Sequence, residues 1–396
     1  MTISNVQDSK ALELKSLQRH IKALVSLPET EAPVVSCYLP LSQGKLQDRD
    51  KFEELVRSLR RGVLAENRQD ILDALEPLEA YLEDELSVDT KGVAVFSRAG
   101  DQPFFLAFQF HVEVPSWVAA DSTPNIYHLV ELKDIYHRYV VMICSEEHAR
   151  ILEVNLGAVT TQLWAERPEL RRRVGREWTK EHYQNHRRNR SQKFIKEKVE
   201  VLERLFSAGG HTHLILAGQP AITSRVRKEF PKHLVEKLID VIPKSTAKVD
   251  KSKVDQDVVQ ETIGAFIEAE QEESYEAVEA LVRQLRTGGL AVAGTQATYQ
   301  ALCRGHVDVL VIGQHYDPGL GWKCGECNYV DVTKSKPGAC PECCARQFRD
   351  FDIKGAIVRM AEQLGCQVET VKKSDTLEQL GHVGCLLRYR LPEDYV

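Results

Sequence analysis

Apolar positions along this chain repeat with a period near two over short runs and near 3.6 over longer ones, and the two patterns alternate from end to end. Residues 9–26 carry the longer period and predict an amphipathic helix. Residues 34–41, VVSCYLPL, predict a strand that ends at Pro40. Phe52, Leu55, Val56, Leu59 and Val63 stand at helical spacing within residues 48–86, with an interruption expected near Glu76-Pro77. Two strands follow, at 92–98 and 103–114, separated by the turn Ala99-Gly100-Asp101. These elements make a first α/β domain over residues 1–134.

The pattern then restarts. Residues 139–144, 149–155 and 158–164 read as three short strands in a meander, with Asn155-Leu156-Gly157 turning between the last two. A long helix is predicted through about residue 206, then a buried strand at 213–218, helices around 220–238 and an extended stretch at 241–243. Val258, Ile263, Phe266, Ile267, Ala277, Leu281 and Leu285 fit one long helix over 255–286 with an acidic face at 268–273. A central domain over 135–286 is expected. The remainder alternates again: strand 290–294, helix 296–304, strand 307–313, helix 353–364, and strands 367–371 and 383–390. This predicts a C-terminal α/β/α domain over 287–396. The fold class is therefore multidomain α/β, in three α/β domains.

One insertion breaks the last alternation. Cys324, Cys327, Cys340 and Cys343 form C-x2-C-x12-C-x2-C, the spacing at which two facing knuckles close a tetrahedral Zn2+ site. Lys323, Gly325, Pro337 and Gly338 flank the pairs with turn-forming residues. Four thiolates leave no open coordination position, so the expected ion is single and structural. Cys344, directly after the last ligand, is read as a spectator. The ribbon, residues 322–346, sits between strand 307–313 and helix 353–364 and projects from the C-terminal sandwich. Cys37, Cys144, Cys303, Cys366 and Cys385 lie in apolar surroundings, where reduced cysteine acts as a small core residue.

Composition sets limits. The chain has 396 residues, 43% of them hydrophobic, enough for several full cores. No run of some 18 apolar residues occurs, and MTISNVQDSKALELK lacks a charged start followed by an apolar stretch. A cytoplasmic protein without a membrane span or secretion signal is expected. The net charge of −6 is unevenly spread. Residues 1–135 carry 14 basic against 22 acidic side chains, whereas 171–198 carry eleven Lys or Arg against three Glu. Within that segment Arg171, Arg172, Arg173, Arg176, Lys180, Arg187, Arg188 and Arg190 alternate with Trp178, Tyr183, His186 and Gln192. Cations that neutralise phosphates, interleaved with rings and amides that stack on or bond to bases, predict an RNA contact. A solvated helix of this length usually pairs its cations with Glu at i, i+4, and few such pairs are present here.

The order of elements and several strings resemble the bacterial branch of the archaeo-eukaryotic class-1 release factor and Pelota superfamily, the baeRF proteins, including hibernation factors of the Balon type. The strings are the strand at 34–41, GVAVFSR, YVVMICSEEHARILEVN, HLILAG after the long helix, and the closing GHVGCLLRYRL. The resemblance implies three domains in release factor/Pelota-like order, with the ribbon inserted in the C-terminal one. It implies a protein of tRNA-like shape in the ribosomal A site, its central domain toward the peptidyl-transferase centre. The basic segment would then meet rRNA or the end of the P-site tRNA. A translational GTPase such as elongation factor Tu is a candidate partner, and a monomer is expected.

The departures define the activity. No Gly-Gly-Gln string occurs: Gly209-Gly210 precedes His211, and Gly218-Gln219 follows a strand elsewhere. The Asn-Ile-Lys-Ser and Tyr-x-Cys-x-x-x-Phe codon-reading motifs are also missing. No catalytic residue is assigned, and the expected function is occupancy of the A site in hibernation or rescue, without peptide release. Two other classes stay open. One is a peptidyl-tRNA esterase or RNase using Glu177, Glu181, His182 and His186, with the two histidines at i, i+4 but no H-E-x-x-H arrangement. The other is a zinc-ribbon module that binds protein or non-ribosomal RNA.

Overall fold

The computed structural model describes residues 2–5, 14–62, 67–100, 102–146, 148–166, 180–209, 211–243, 256–332 and 335–389. They fall into two compact units, residues 1–9 with 136–269 and residues 10–135 with 270–396. The first and last stretches of α/β pattern therefore share one unit. Residues 270–286 of the long helix belong to it as well.

In the first unit, alternating Val, Ile and Leu build a six-stranded sheet in the order Thr2–Asn5, Ala158–Glu166, His148–Asn155, Tyr139–Cys144, His213–Gly218, Leu238–Pro243. The first four strands run antiparallel and the last three are mutually parallel. Leu156 and Gly157, both at positive φ (47° and 74°), form the two-residue turn that joins the strands at 148–155 and 158–166. At the end of His213–Gly218 the backbone closes on its neighbour: a Cβ on Gly218 would lie 2.4 Å from the Cys144 carbonyl oxygen, so only glycine fits. One sheet face packs Val140, Met142, Leu214 and Leu216 under Phe194, Ile195 and Leu202 of helix Lys180–Ser207 and under helices Pro220–Lys228 and Lys232–Lys237. The opposite face packs Val141, Ile143 and Ile215 against Phe266 of helix Gln256–Arg286, whose ring stacks on Tyr139 at 4.6 Å.

The second unit holds two larger sheets. In one, Val34–Ser42 lies beside Gly92–Arg98, which pairs Phe104–Phe110; Trp117–Asp121 and Lys45–Leu46 also pair Val34–Ser42. Helices Arg49–Gly62 and Arg68–Asp84 cover it through Phe52, Val56, Ile71, Leu75 and Leu78. The other sheet runs Ala291–Ala293, Val383–Leu387, Val307–Gly313, Gln367–Val371. Val278 and Leu281 of the long helix pack on it, and helices Thr295–Cys303 and Ile353–Leu364 flank it.

Polar bonds join these two halves around helix Tyr127–Ile135. Asp134 Oδ2 accepts the Thr370 amide (2.6 Å), Gln314 Nε2 donates to Glu131 (2.8 Å), and Lys133 pairs Glu362. Asn125 Nδ2 donates to Asp352 Oδ2 at 2.7 Å, while Asp352 caps helix Ile353–Leu364 by accepting the amides of Lys354 and Gly355. Arg359 Nη2 donates to the Leu27 carbonyl at 2.6 Å, just past the end of helix Leu14–Val25. Burial raises the pKa values of Asp121 and Asp352 at this joint, against the amide hydrogen bonds that favour their charge.

Several expectations shift. The interruption expected at Glu76-Pro77 lies inside helix Arg68–Asp84. Pro77 forfeits one hydrogen bond there, and burial of Ala74, Leu75 and Leu78 holds the helix on its sheet. The stretch expected as one strand at 103–114 ends at Phe110, and Trp117–Asp121 is a strand of its own. Helix Tyr127–Ile135 and the pairing of Thr2–Asn5 with Ala158–Glu166 are additions. Among the described residues, no helix is long and apolar enough to cross a membrane.

Candidate metal centre and nucleic-acid interface

The four cysteines converge. Antiparallel strands Val330–Asp331, Leu320–Cys324 and Phe348–Asp352 make a three-stranded ribbon, and both cysteine pairs lie at its Cys324/Phe348 end. The two turns repeat each other. The Cys324 amide donates to the Tyr329 carbonyl and the Cys340 amide to Ala345, both at 2.8 Å. The Asn328 amide returns to the Cys324 carbonyl at 3.2 Å, and that of Cys344 to Cys340 at 2.9 Å. Asn328 and Cys344, each directly after the second cysteine of its pair, both take the left-handed conformation (φ 60° and 61°). Cys344 thus closes a knuckle, which its position next to a ligand did not suggest.

The sulfurs meet at metal-binding distances. Cys324 Sγ lies 3.5 Å from Cys343 Sγ, Cys327 Sγ lies 3.6 Å from Cys340 Sγ, and all four are within 4.8 Å of one another. In a tetrahedral centre with Zn–S bonds of about 2.3 Å the sulfurs stand roughly 3.8 Å apart, so this donor set fits a zinc-sized ion. Cys324 and Cys340 are buried, whereas Cys327 and Cys343 reach the surface. The amides of Cys327 and Glu326 point at Cys324 and hold its thiol down at about 6. The Tyr329 amide favours the Cys327 thiolate, yet burial and the sulfurs of Cys343, Cys340 and Cys324 push that thiol up to about 12. Four sulfurs this close do not all ionise without a cation among them.

Trp322 supports the centre. It is 2% exposed, packs edge-on to Phe348 at 5.0 Å and beside Tyr329 at 5.7 Å, and donates its indole N–H to the Ser335 carbonyl at 3.2 Å. A Cβ on Gly321 would meet the Phe351 ring at 2.8 Å, which requires glycine in that strand. Lys323 pairs Glu29 at 2.9 Å, tying the ribbon to the N-terminal half of its unit.

The residues expected to contact RNA are placed unevenly. Arg171, Arg172, Arg173, Arg176 and Trp178 lie outside the described residues, as does Glu177. Lys180, Tyr183, His186, Arg187, Arg188 and Arg190 lie on helix Lys180–Ser207, with Glu181 and His182, and the structure describes only their backbone. Gln192 is exposed on the same helix and donates to Glu229 at 3.2 Å. Its neighbour Ser191 accepts from Arg225 at 2.8 Å. Lys198 lies over the Phe194 ring at 5.1 Å, and burial lowers its pKa.

The stretch that leads into this helix also has relatives. Residues 124–265, which hold all of the central sheet except Thr2–Asn5, match the model of bacterial archaeo-eukaryotic release factor family 10. Over those residues the chain is similar to the bacterial archaeo-eukaryotic release factors. The chain is also 29% identical over 132 residues to peptide chain release factor subunit 1 of Pyrococcus abyssi, a match covering 28% of the chain and 32% of that protein. Two solved structures are similar at lower identity. A ribosome-bound archaeal Pelota is 13% identical with a TM-score of 0.44, covering 99% of this chain and 100% of that one. Archaeoglobus fulgidus Pelota is 14% identical with a TM-score of 0.37, covering 75% and 80%.

Proposed function

We propose that this protein is a cytoplasmic ribosome-binding translation factor that occupies the A site in tRNA-like fashion, in hibernation or rescue, and works by occupancy rather than turnover. The observation that carries the reading is the baeRF family match across residues 124–265, the part of the chain that includes the basic segment. A chain without a Gly-Gly-Gln string lacks the backbone that would position water for ester hydrolysis, so peptide release is not part of the mechanism. Residues 171–190 supply cations to phosphates of rRNA or the P-site tRNA end, and Trp178, Tyr183 and His186 supply stacking faces worth about 1–3 kcal/mol per base. Cys324, Cys327, Cys340 and Cys343 hold one structural zinc ion that fixes the ribbon. A translational GTPase such as elongation factor Tu delivers the protein or senses its arrival.

Sedimentation with purified ribosomes at rising salt tests this reading. Wild-type protein comigrates at low salt and is released progressively as salt rises. An absence of comigration under every condition, including ribosomes from starved cells, would sink the ribosomal reading and leave a zinc-ribbon binding module.

A further inference from the structure

The central unit carries a second concentration of positive charge, on helices the basic segment does not include. Pro220 opens helix Pro220–Lys228, and Pro231 stands directly before helix Lys232–Lys237. Ile222, Val226, Phe230 and Leu234 turn inward to the face of the sheet that also receives Phe194 and Ile195 of helix Lys180–Ser207. Burial on one side forces the polar side of all three helices outward on the same side of the sheet. Residues 220–237 contain five Lys or Arg against two Glu.

Glu229, one of those two acids, is already engaged by Gln192 and by Lys196 at 3.8 Å. Arg225 is likewise committed, to Ser191. Arg227, Lys228, Lys232 and Lys237 are exposed and form no ion pair among the described residues. Glu197, Glu200 and Glu203 lie beyond Lys196 on the long helix. The bonds from Ser191 and Gln192 to Arg225 and Glu229 place this cationic surface beside the end of the basic segment at Arg190. Exposed cations without ion pairs among the described residues, on helices packed against one sheet face, complement a phosphate backbone.

We propose that Arg227, Lys228, Lys232 and Lys237 form a second phosphate-contacting surface, which extends the RNA interface of residues 171–192 across helices Pro220–Lys228 and Lys232–Lys237. The partner is RNA backbone. The inference rests on the RNA-contact part of the functional reading, and its test separates the two.

The test compares four full-length proteins: wild type, the combined Arg227→Ala, Lys228→Ala, Lys232→Ala, Lys237→Ala variant, the combined Arg187→Ala, Arg188→Ala, Arg190→Ala variant, and the Lys228→Gln, Lys232→Gln pair. Each is titrated with a labelled single-stranded RNA over a salt series and sedimented with purified ribosomes. With about 0.7 of salt slope per phosphate contact, the first variant shows a log affinity against log salt line shallower by about 2 to 3. The Lys228→Gln, Lys232→Gln pair gives about half that change and guards against misfolding of the larger variant. An unchanged slope overturns the surface, even where the Arg187, Arg188, Arg190 variant loses binding, and then leaves the ribosomal reading standing. RNA binding without ribosome binding overturns the ribosomal reading while the slopes still judge the surface. No RNA binding by the wild type overturns the surface. So does a variant that loses binding to polyglutamate but keeps its RNA affinity, which would indicate an acidic protein partner.

Discussion

The ribbon and the basic segment are the two most informative stretches of this chain, and they differ in where their information resides. The ribbon is complete within about 30 residues: strands, knuckle turns, sulfurs and the Trp322 core all come from residues 320–352. The basic segment has meaning only through a partner. Its cations and rings are written in the sequence, which names no partner for them. A site that binds its ligand with its own backbone turns is legible from spacing, whereas a surface that binds a polymer is legible only as charge and composition.

The largest separation of the two regions should come from Cys324→Ser. This removes a buried ligand and the thiol held by two amides, so the zinc content, measured by mass spectrometry of the intact protein, falls to near zero. RNA affinity at low salt stays within about twofold if the two regions act independently. Loss of RNA binding in that variant would show that the ribbon contributes to the interface.

Trp322→Ala empties the ribbon core and costs about 3–5 kcal/mol of local stability, read as lost hydrogen-exchange protection of the Leu320–Cys324 and Phe348–Asp352 amides. Protection unchanged there would mean that the cysteines alone hold the ribbon.

The complementary variant, Arg187→Ala with Arg188→Ala and Arg190→Ala, leaves the zinc content intact and makes the salt dependence of RNA binding shallower by about 2. A slope equal to that of the wild type would move the RNA contact to other cations.

Acidity acts on the ribbon. The Cys327 and Cys343 thiols are raised in the absence of a cation, so ion uptake must displace their protons. Metal affinity therefore falls as pH falls, and loading an unbuffered sample with zinc acidifies it. An affinity independent of pH would contradict coordination by four thiolates.

Cys344→Gly has the smallest effect. It relieves a left-handed non-glycine residue and stabilises the second knuckle by about 1 kcal/mol, with full zinc content retained. Lost zinc in that variant would make Cys344 a ligand.

Much of the fold was legible because each strand and helix carries its own period, down to the meander at residues 139–166 and the helix that supplies Phe266 and Leu281. The missed pieces share a physical reason. Helix Tyr127–Ile135 buries Tyr127, Leu129, Val130, Leu132 and Asp134, more than one stripe of its surface, so it shows no amphipathic period. Trp117–Asp121 is half-buried throughout and shows no strict alternation. The union of the first and last stretches comes from long-range contacts, such as helix Tyr127–Ile135 against helix Ile353–Leu364 and the bonds Asn125 to Asp352 and Asp134 to Thr370, which leave no trace in local patterning. The convergence of Cys324, Cys327, Cys340 and Cys343 was legible from spacing. The paired roles of Asn328 and Cys344, both left-handed, were not.

Competition at the decoding ribosome tests the central claim most directly. Ribosomes carrying messenger and a P-site tRNA are mixed with labelled aminoacyl-tRNA and increasing amounts of the protein. The account predicts that A-site tRNA is displaced in proportion to bound protein, with the P-site peptide remaining on its tRNA. Simultaneous binding of both, or release of the peptide, would contradict it.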